Sequence, residues 1–209
     1  MRKPESVKTL ENLGRVALSP NFFMRDFLYS EIAQIERIPN VPDFPDRAIA
    51  VGKELCTQVL EPIQARFGKI SIRSAYRAPA VNEIGAANKN QYNCSRNEAN
   101  YGEHIWDYAR ADGSVGATAC IVVNRFVPYF ERTGDWSALA WWIHDQVPGY
   151  SKMFFFPKLA AFNISWSSAP IRRIDSYVPP KGCLTQPGYD NHGGSHASAY
   201  RDLLEEIGG

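Results

Sequence analysis

The sequence predicts an α+β fold, N-terminal helices packed on a mainly antiparallel sheet, from three observations. A strong amphipathic pattern covers residues 46–67, with Ile49, Leu55, Val59, Leu60 and Ile63 on one side. Short apolar runs then recur at residues 69–74, 104–110, 115–123, 153–156 and 160–166, separated by Gly, Pro and Asn. Most helical patterns precede these runs instead of alternating with them, which favours an antiparallel sheet over a βαβ succession.

Each element has a local reason. Ser19 and Pro20 are an N-cap and a first-turn residue for a helix over residues 21–30. Three prolines in residues 38–45 (Pro39, Pro42 and Pro45) remove donors and fix φ, so this stretch is an extended loop. Asp46 is read as the cap of the amphipathic helix and Gly68 as its stop. Residues 69–74 form a strand and 81–87 a short helix, whereas the Asn-rich residues 88–101 form a loop. Asp112-Gly113 between two apolar runs signals a hairpin with strands at 104–110 and 115–123. Asp135 caps a helix over residues 136–146 that carries Leu139, Trp142 and Ile143. Two more strands follow, and a Pro/Gly-rich tail wraps the surface before a last helix at 197–207.

The chain has 209 residues, 44% hydrophobic and 22% charged, enough for one domain with a real core. A net charge of +1 carries no basic excess for nucleic acid. No stretch approaches the ~18 apolar residues of a membrane span. Residues 1–19 carry charges throughout and lack an apolar run of signal-peptide length, which predicts a cytoplasmic or particle-associated protein. Cys56, Cys94, Cys120 and Cys183 are scattered with no Cys-x-x-Cys pair, which excludes a zinc ribbon and favours buried thiols over disulfides.

The most informative string is Ile72-Arg73-Ser74-Ala75-Tyr76-Arg77-Ala78-Pro79-Ala80-Val81-Asn82. It delivers a Tyr-Arg pair to a bend, where a guanidinium can hold a carboxylate with two parallel hydrogen bonds. This string resembles the Ser-Gly-Tyr-Arg-Ser-Pro-x-x-Asn signature of the zinc D-Ala-D-Ala carboxypeptidase-like family, the Hedgehog/DD-peptidase fold. Other landmarks occur in the family's order: Leu18-Ser19-Pro20-Asn21-Phe22, the Pro39-Asn40-Val41-Pro42 turn, and the helix ending at Phe67-Gly68. The resemblance covers residues 18–166, and residues 167–209 are then a C-terminal extension of the single domain.

The resemblance implies a metallopeptidase acting on cell-wall peptides, but the catalytic half of the pattern departs from it. Gly102-Glu103-His104 supplies the first zinc-ligand histidine. The family's Gly-x-Ala-x-Asp string matches Gly116-Ala117-Thr118-Ala119-Cys120, with Cys120 in place of the aspartate. Asn163 stands in the position of the second histidine. The expected catalytic glutamate falls in Phe154-Phe155-Phe156-Pro157. On this reading Arg77, Tyr76, Asn82 and Asn163 are substrate-binding residues, with Arg77 holding a carboxylate and Asn82 shaping the loop. Zinc is retained only if His104 recruits Cys120, Asp107 or Asp112.

The function expected is a divergent D-Ala-D-Ala carboxypeptidase-like protein that acts on or binds peptidoglycan peptides. The alternatives are a catalytically inactive structural or binding module, for example of a phage-type particle, and an enzyme rewired around a Cys120–His104 nucleophile–base pair. Other residues carry weaker signals. Glu103, Asp107 and Asp112 are candidate acids for glycoside hydrolysis that nothing positions. His192 and His196 have i, i+4 spacing, but Gly193-Gly194 argues against a helix there. His144 reads as a boundary histidine and the Phe154–Phe156 run as core.

Overall fold

The computed structural model describes residues 1–88, 91–92 and 94–208. It is a mixed helix–sheet domain around one six-stranded, mostly antiparallel sheet. β1 (Ile70–Ser74), β2 (Gly116–Val123), β3 (Tyr150–Phe155), β4 (Phe162–Ser167), β5 (Arg173–Ser176) and β6 (Gly182–Thr185) lie in the order β1-β2-β4-β3-β5-β6. Among the described strands, β3 and β5 pair in parallel and the other neighbours antiparallel.

The long helix forms as its apolar period dictates. α3 (Pro45–Leu55) passes through a π turn (Cys56–Leu60) into α4 (Glu61–Phe67). Pro62 has no N–H for the Gln58 carbonyl and its ring crowds that oxygen, so the helix widens just ahead of it. Ala48, Val51, Leu55, Cys56, Val59, Leu60, Ile63 and Phe67 are buried. Gly68 ends the helix at φ +74°, a left-handed conformation that favours glycine. Asp46 is not the cap: the N-cap is Phe44, without a side-chain bond, and Asp46 sits in the exposed first turn. This helix covers the sheet face formed by Ala117, Ala119, Ile121, Phe162 and Ile164, all buried. α8 (Ser137–Gln146) joins the same core through an edge-on Phe67–Trp142 pair at 4.6 Å. Asp135 caps it, as expected, accepting from the Ser137 and Ala138 N–H groups.

Several expectations fail for identifiable reasons. Residues 21–30 hold only a 3₁₀ turn (Met24–Phe27). Both Leu18 and Ser19 donate to the Phe22 carbonyl, and Glu61 takes the Ser19 hydroxyl and the Asn21 amides. These bonds fold the chain back before a helix can propagate. Residues 104–110 are turns, not a strand. Ile105 N–H donates back to Asn100 O and Gly102 N–H to Ile105 O, and the Asp107 carboxylate is held by the Asp43 and Phe44 N–H groups, so the segment closes on itself instead of running along β2. The Asp112-Gly113 turn does close: Arg110 N–H donates to Ser114 O at 2.8 Å and Gly113 has φ +81°. The Asn-rich loop contains a one-turn helix, α6 (Asn97–Asn100); the parts of that prediction at residues 89, 90 and 93 lie outside the described residues.

The tail is no surface wrap. β5 and β6 extend the sheet, and Ile174, Val178 and Leu203 are buried in the core. α9 (Ala197–Ile207) matches its predicted span. α1 (Val7–Gly14), α2 (Glu31–Glu36) and α7 (Val127–Thr133) complete the set with α5 (Pro79–Ala87), which begins on Pro79.

Gly116 opens β2 where two backbones converge. A Cβ there would lie 2.5 Å from Gly102 O and 2.7 Å from Trp166 O. Gly116→Ala is therefore expected to cost about 1–3 kcal/mol, read as a lower urea midpoint at unchanged slope.

Candidate functional site

Strand register sets up the site. Across the face of the sheet away from the long helix, Cys120, Asn163, Phe154, Asp175 and Cys183 fall in one row. Thr118, Ser165, Lys152 and Arg173 form the adjacent row. This face is polar because residues of one parity on each strand are polar.

The Glu103–His104 segment is stitched beside it from both sides. Thr118 N–H donates to Glu103 O at 2.9 Å, and Arg77 N–H donates to His104 O at 2.8 Å. The loop thus takes over the edge of β2 beyond the end of β1. Between loop and sheet lies a cavity of about 200 Å³ lined by Glu103, His104, Thr118, Lys152, Phe154 and Asn163, with Asn100, Met153 and Ser165. The positions the resemblance marks for both zinc histidines, and the Phe154 end of the segment where it places the glutamate, therefore converge on one hollow. Wider hollows beside α5 and α1, about 410 and 550 Å³, contain none of the candidate site residues.

Glu103 organises the polar wall. Its carboxylate accepts from Lys152 Nζ, from Arg110 Nη2 at 3.0 Å and from Thr118 Oγ1 at 3.0 Å. Arg110 is held in turn by Gly102 O at 2.6 Å and Ser167 Oγ at 2.9 Å. Burial alone would raise the Glu103 carboxyl, but the two cations and their hydrogen bonds outweigh it and hold it below the usual range. Two cations share one anion here: Lys152, the more exposed, lines the cavity, and Arg110 backs Glu103 from outside the wall.

His104 Nδ1 lies 2.8 Å from the Ala75 carbonyl and must donate to it. In the neutral ring this leaves Nε2 as a bare acceptor. Burial, reinforced by the Arg77 charge, pushes the His104 pKa down to about 4, with the Ala75 bond opposing. The ring is therefore neutral near pH 7.

The remaining candidates are placed less centrally. Arg77 does not line the cavity; its Nη1 donates to Asn82 Oδ1 at 2.8 Å and to Cys94 Sγ at 3.1 Å. Asn82, fully buried, donates in turn to Ser95 O at 3.0 Å and to Asn97 Oδ1 at 2.7 Å. Tyr76 is 1% exposed and donates to Asp107, which places it in the core. Cys120 is absent from the cavity wall, and burial pushes its thiol up to about 11, the Arg73 charge opposing. Such a thiol is protonated at neutral pH and poorly suited to nucleophilic attack. Asp107 is engaged by Tyr76 and by backbone at residues 43–44, and Asp112 caps its own turn. Among the described residues, no group of three His, Cys, Asp or Glu is arranged to hold a metal ion. The donors around His104 are an ammonium, hydroxyls, a carboxamide and a carboxylate already bound to two cations, a set that does not fit zinc.

Lys152, Thr118 and Ser165 went unnoticed in the sequence. The signal was present as the period-two alternation Lys152/Phe154 and Asn163/Ser165, legible once both strands are placed. The Phe154–Phe156 run divides by the same parity: Phe155 is buried and stacked on Phe162 at 4.5 Å, whereas Phe154 and Phe156 are half-buried beside Tyr177.

No family model, curated protein or solved structure matches this chain. No helix is long and apolar enough to cross a membrane among the described residues.

Proposed function

We propose that this chain is a divergent member of the D-Ala-D-Ala carboxypeptidase-like group, with its fold, that binds the carboxylate end of a cell-wall-type peptide without zinc-dependent hydrolysis. The observation that carries this reading is the cavity at His104 and Asn163, whose wall includes the Lys152 ammonium. That ammonium suits a carboxylate, because its Glu103 partner is shared with Arg110 behind the wall. Neutral His104 Nε2 offers an acceptor, and Asn163 offers both a donor and an acceptor, for a peptide group. At about 200 Å³ the hollow is smaller than the ~300–1,000 Å³ of most small-molecule sites, a size for a terminal residue. The same chemistry serves a binding module of a phage-type particle. A rewired Cys120–His104 enzyme is disfavoured by the protonated thiol outside the wall.

The test is calorimetric titration with a synthetic peptide ending in D-Ala-D-Ala, as free acid and as C-terminal amide. The free acid should bind at least 10-fold more tightly, Lys152→Met should remove most of that preference, and added chelator should change nothing. Equal affinity for acid and amide, or release of D-alanine that chelator abolishes, overturns the reading.

A further inference from the structure

On the cavity side of β3 the residues of one parity are Lys152, Phe154 and Phe156, a cation followed by two rings. Phe156, one residue past the strand, is kept in line by its N–H bond to Ala161 O at 2.8 Å. The parallel pairing of β5 sets Asp175 beside Phe154, so that Tyr177 follows beside Phe156, and Tyr177 N–H donates to Phe155 O at 2.9 Å. The Tyr177 ring stands edge-on to Phe154 at 4.5 Å and lies 6.2 Å from Phe156, and the two Phe rings are 5.4 Å apart.

These rings do no work for the core. Met153 and Phe155, of the other parity, fill it. Phe154 and Phe156 are half-buried and Tyr177 is 58% exposed. Among the described residues, none of the three joins the hydrophobic core or packs against it. The cluster therefore leaves apolar surface in water that a ligand would cover. It is also continuous with the candidate site, because Phe154 lines the hollow together with Lys152 and Asn163.

We propose that Phe154, Phe156 and Tyr177 form a second subsite, which takes a long side chain with an apolar body two residues before the ligand's terminal carboxylate. This rests on the carboxylate-binding reading of the hollow. A strand rises ~3.3 Å per residue, so Phe154 lies ~7 Å and Phe156 ~13 Å along the face from Lys152. An extended ligand has the same rise and sends alternate side chains to opposite sides. With its terminal residue in the hollow, the third residue from its end comes over Phe154 and Tyr177, and the second points away. At the opposite end of the face Arg110 is fixed to Ser167 Oγ and Gly102 O, so the ligand leaves over the rings. The specificity of the site then lies in the third residue as well as in the carboxylate.

The test is calorimetry with synthetic peptides ending in D-Ala-D-Ala that carry alanine or norleucine third from the end, each as free acid and as amide. Norleucine should tighten binding about 5-fold or more, since three further methylenes are partly covered. Norleucine placed second from the end should give no gain. Tyr177→Ser should remove the gain and leave the preference for acid over amide. The norleucine methyl resonance should move upfield on binding, because it lies over ring faces. Equal affinity for alanine and norleucine, an equal gain at the second position, or a gain that survives in Tyr177→Ser overturns the subsite. The first two comparisons use the unmodified chain and decide the matter even if the variant does not fold. Preference for the acid without a norleucine gain overturns the subsite alone. A norleucine gain equal in acid and amide keeps the subsite and overturns the carboxylate reading. A dimer that Tyr177→Ser dissociates would assign the rings to a second copy of the chain and overturn the subsite.

Discussion

Replacing Asp107 with alanine is expected to destabilise the fold by about 3–5 kcal/mol, measured by urea unfolding at pH 7. The carboxylate is fully buried. One oxygen accepts the N–H groups of Asp43 at 2.7 Å and Phe44 at 3.1 Å, and the other accepts the Tyr76 hydroxyl at 3.2 Å. Asp43 and Phe44 lead into α3, whose N-cap has no side-chain bond of its own and whose first residue is a proline. Asp107 therefore caps the long helix from 63 residues away and ties it to the Tyr76-Arg77 bend. Alanine leaves three donors facing an apolar space, each costing about 1–3 kcal/mol unless water reaches it. Asp107→Asn keeps an acceptor oxygen and should cost roughly half as much. Burial raises the Asp107 carboxyl above its usual range, with the hydrogen bonds opposing, so loss of the charge itself is the smaller part of the effect. A change below 1 kcal/mol in the alanine variant would mean that these donors find other partners.

The second large effect is acid sensitivity set by His104. Its pKa falls from 6.5 in the unfolded chain to about 4 in the folded one, burial being the main cause. Between these values the unfolded chain takes up a proton that the folded chain refuses, so stability rises with pH across this window and is lost as pH falls from 6.5 towards 4. The difference amounts to about 3 kcal/mol. His144 is shifted in the same direction, so the comparison needs a variant. His104→Asn retains a donor for the Ala75 carbonyl but cannot titrate. Urea midpoints at pH 7, 6, 5 and 4 should fall more steeply for the unmodified chain than for the variant, and parallel curves would refute the assignment.

Much of the architecture was legible because it rests on local rules. The long helix carries its own apolar period and glycine stop, and β2 and β4 carry apolar runs bounded by turns. What was missed depends on contacts distant in sequence. The bend at residues 18–23 is held by Glu61, 40 residues away, and no local propensity reveals that. Residues 104–107 resemble a strand in composition, yet the loop at 43–44 and the β2 edge pin them as turns. The tail carries turn signals so dense that the short strands β5 and β6 were hidden between them. At the site, His104 and Asn163 do reach the same hollow. Arg77, the strongest motif residue, turns instead towards Asn82 and Cys94, and the cation in the cavity is Lys152, whose role depends on which face of β3 it occupies.

The parallel pairing of β5 with β3 also bears on the order in which the chain can be assembled during synthesis. β1 to β4 and the long helix all emerge before residue 173, but until β5 arrives the outer edge of β3 shows unpaired backbone donors and acceptors. An open strand edge is a template for pairing with other chains. The four residues of β5 close that edge, and the segment that follows supplies Val178, Tyr200 and Leu203 to the core. A nascent chain halted in the loop after β4 would therefore carry nearly the whole cavity wall, and its sheet would end on an adhesive border.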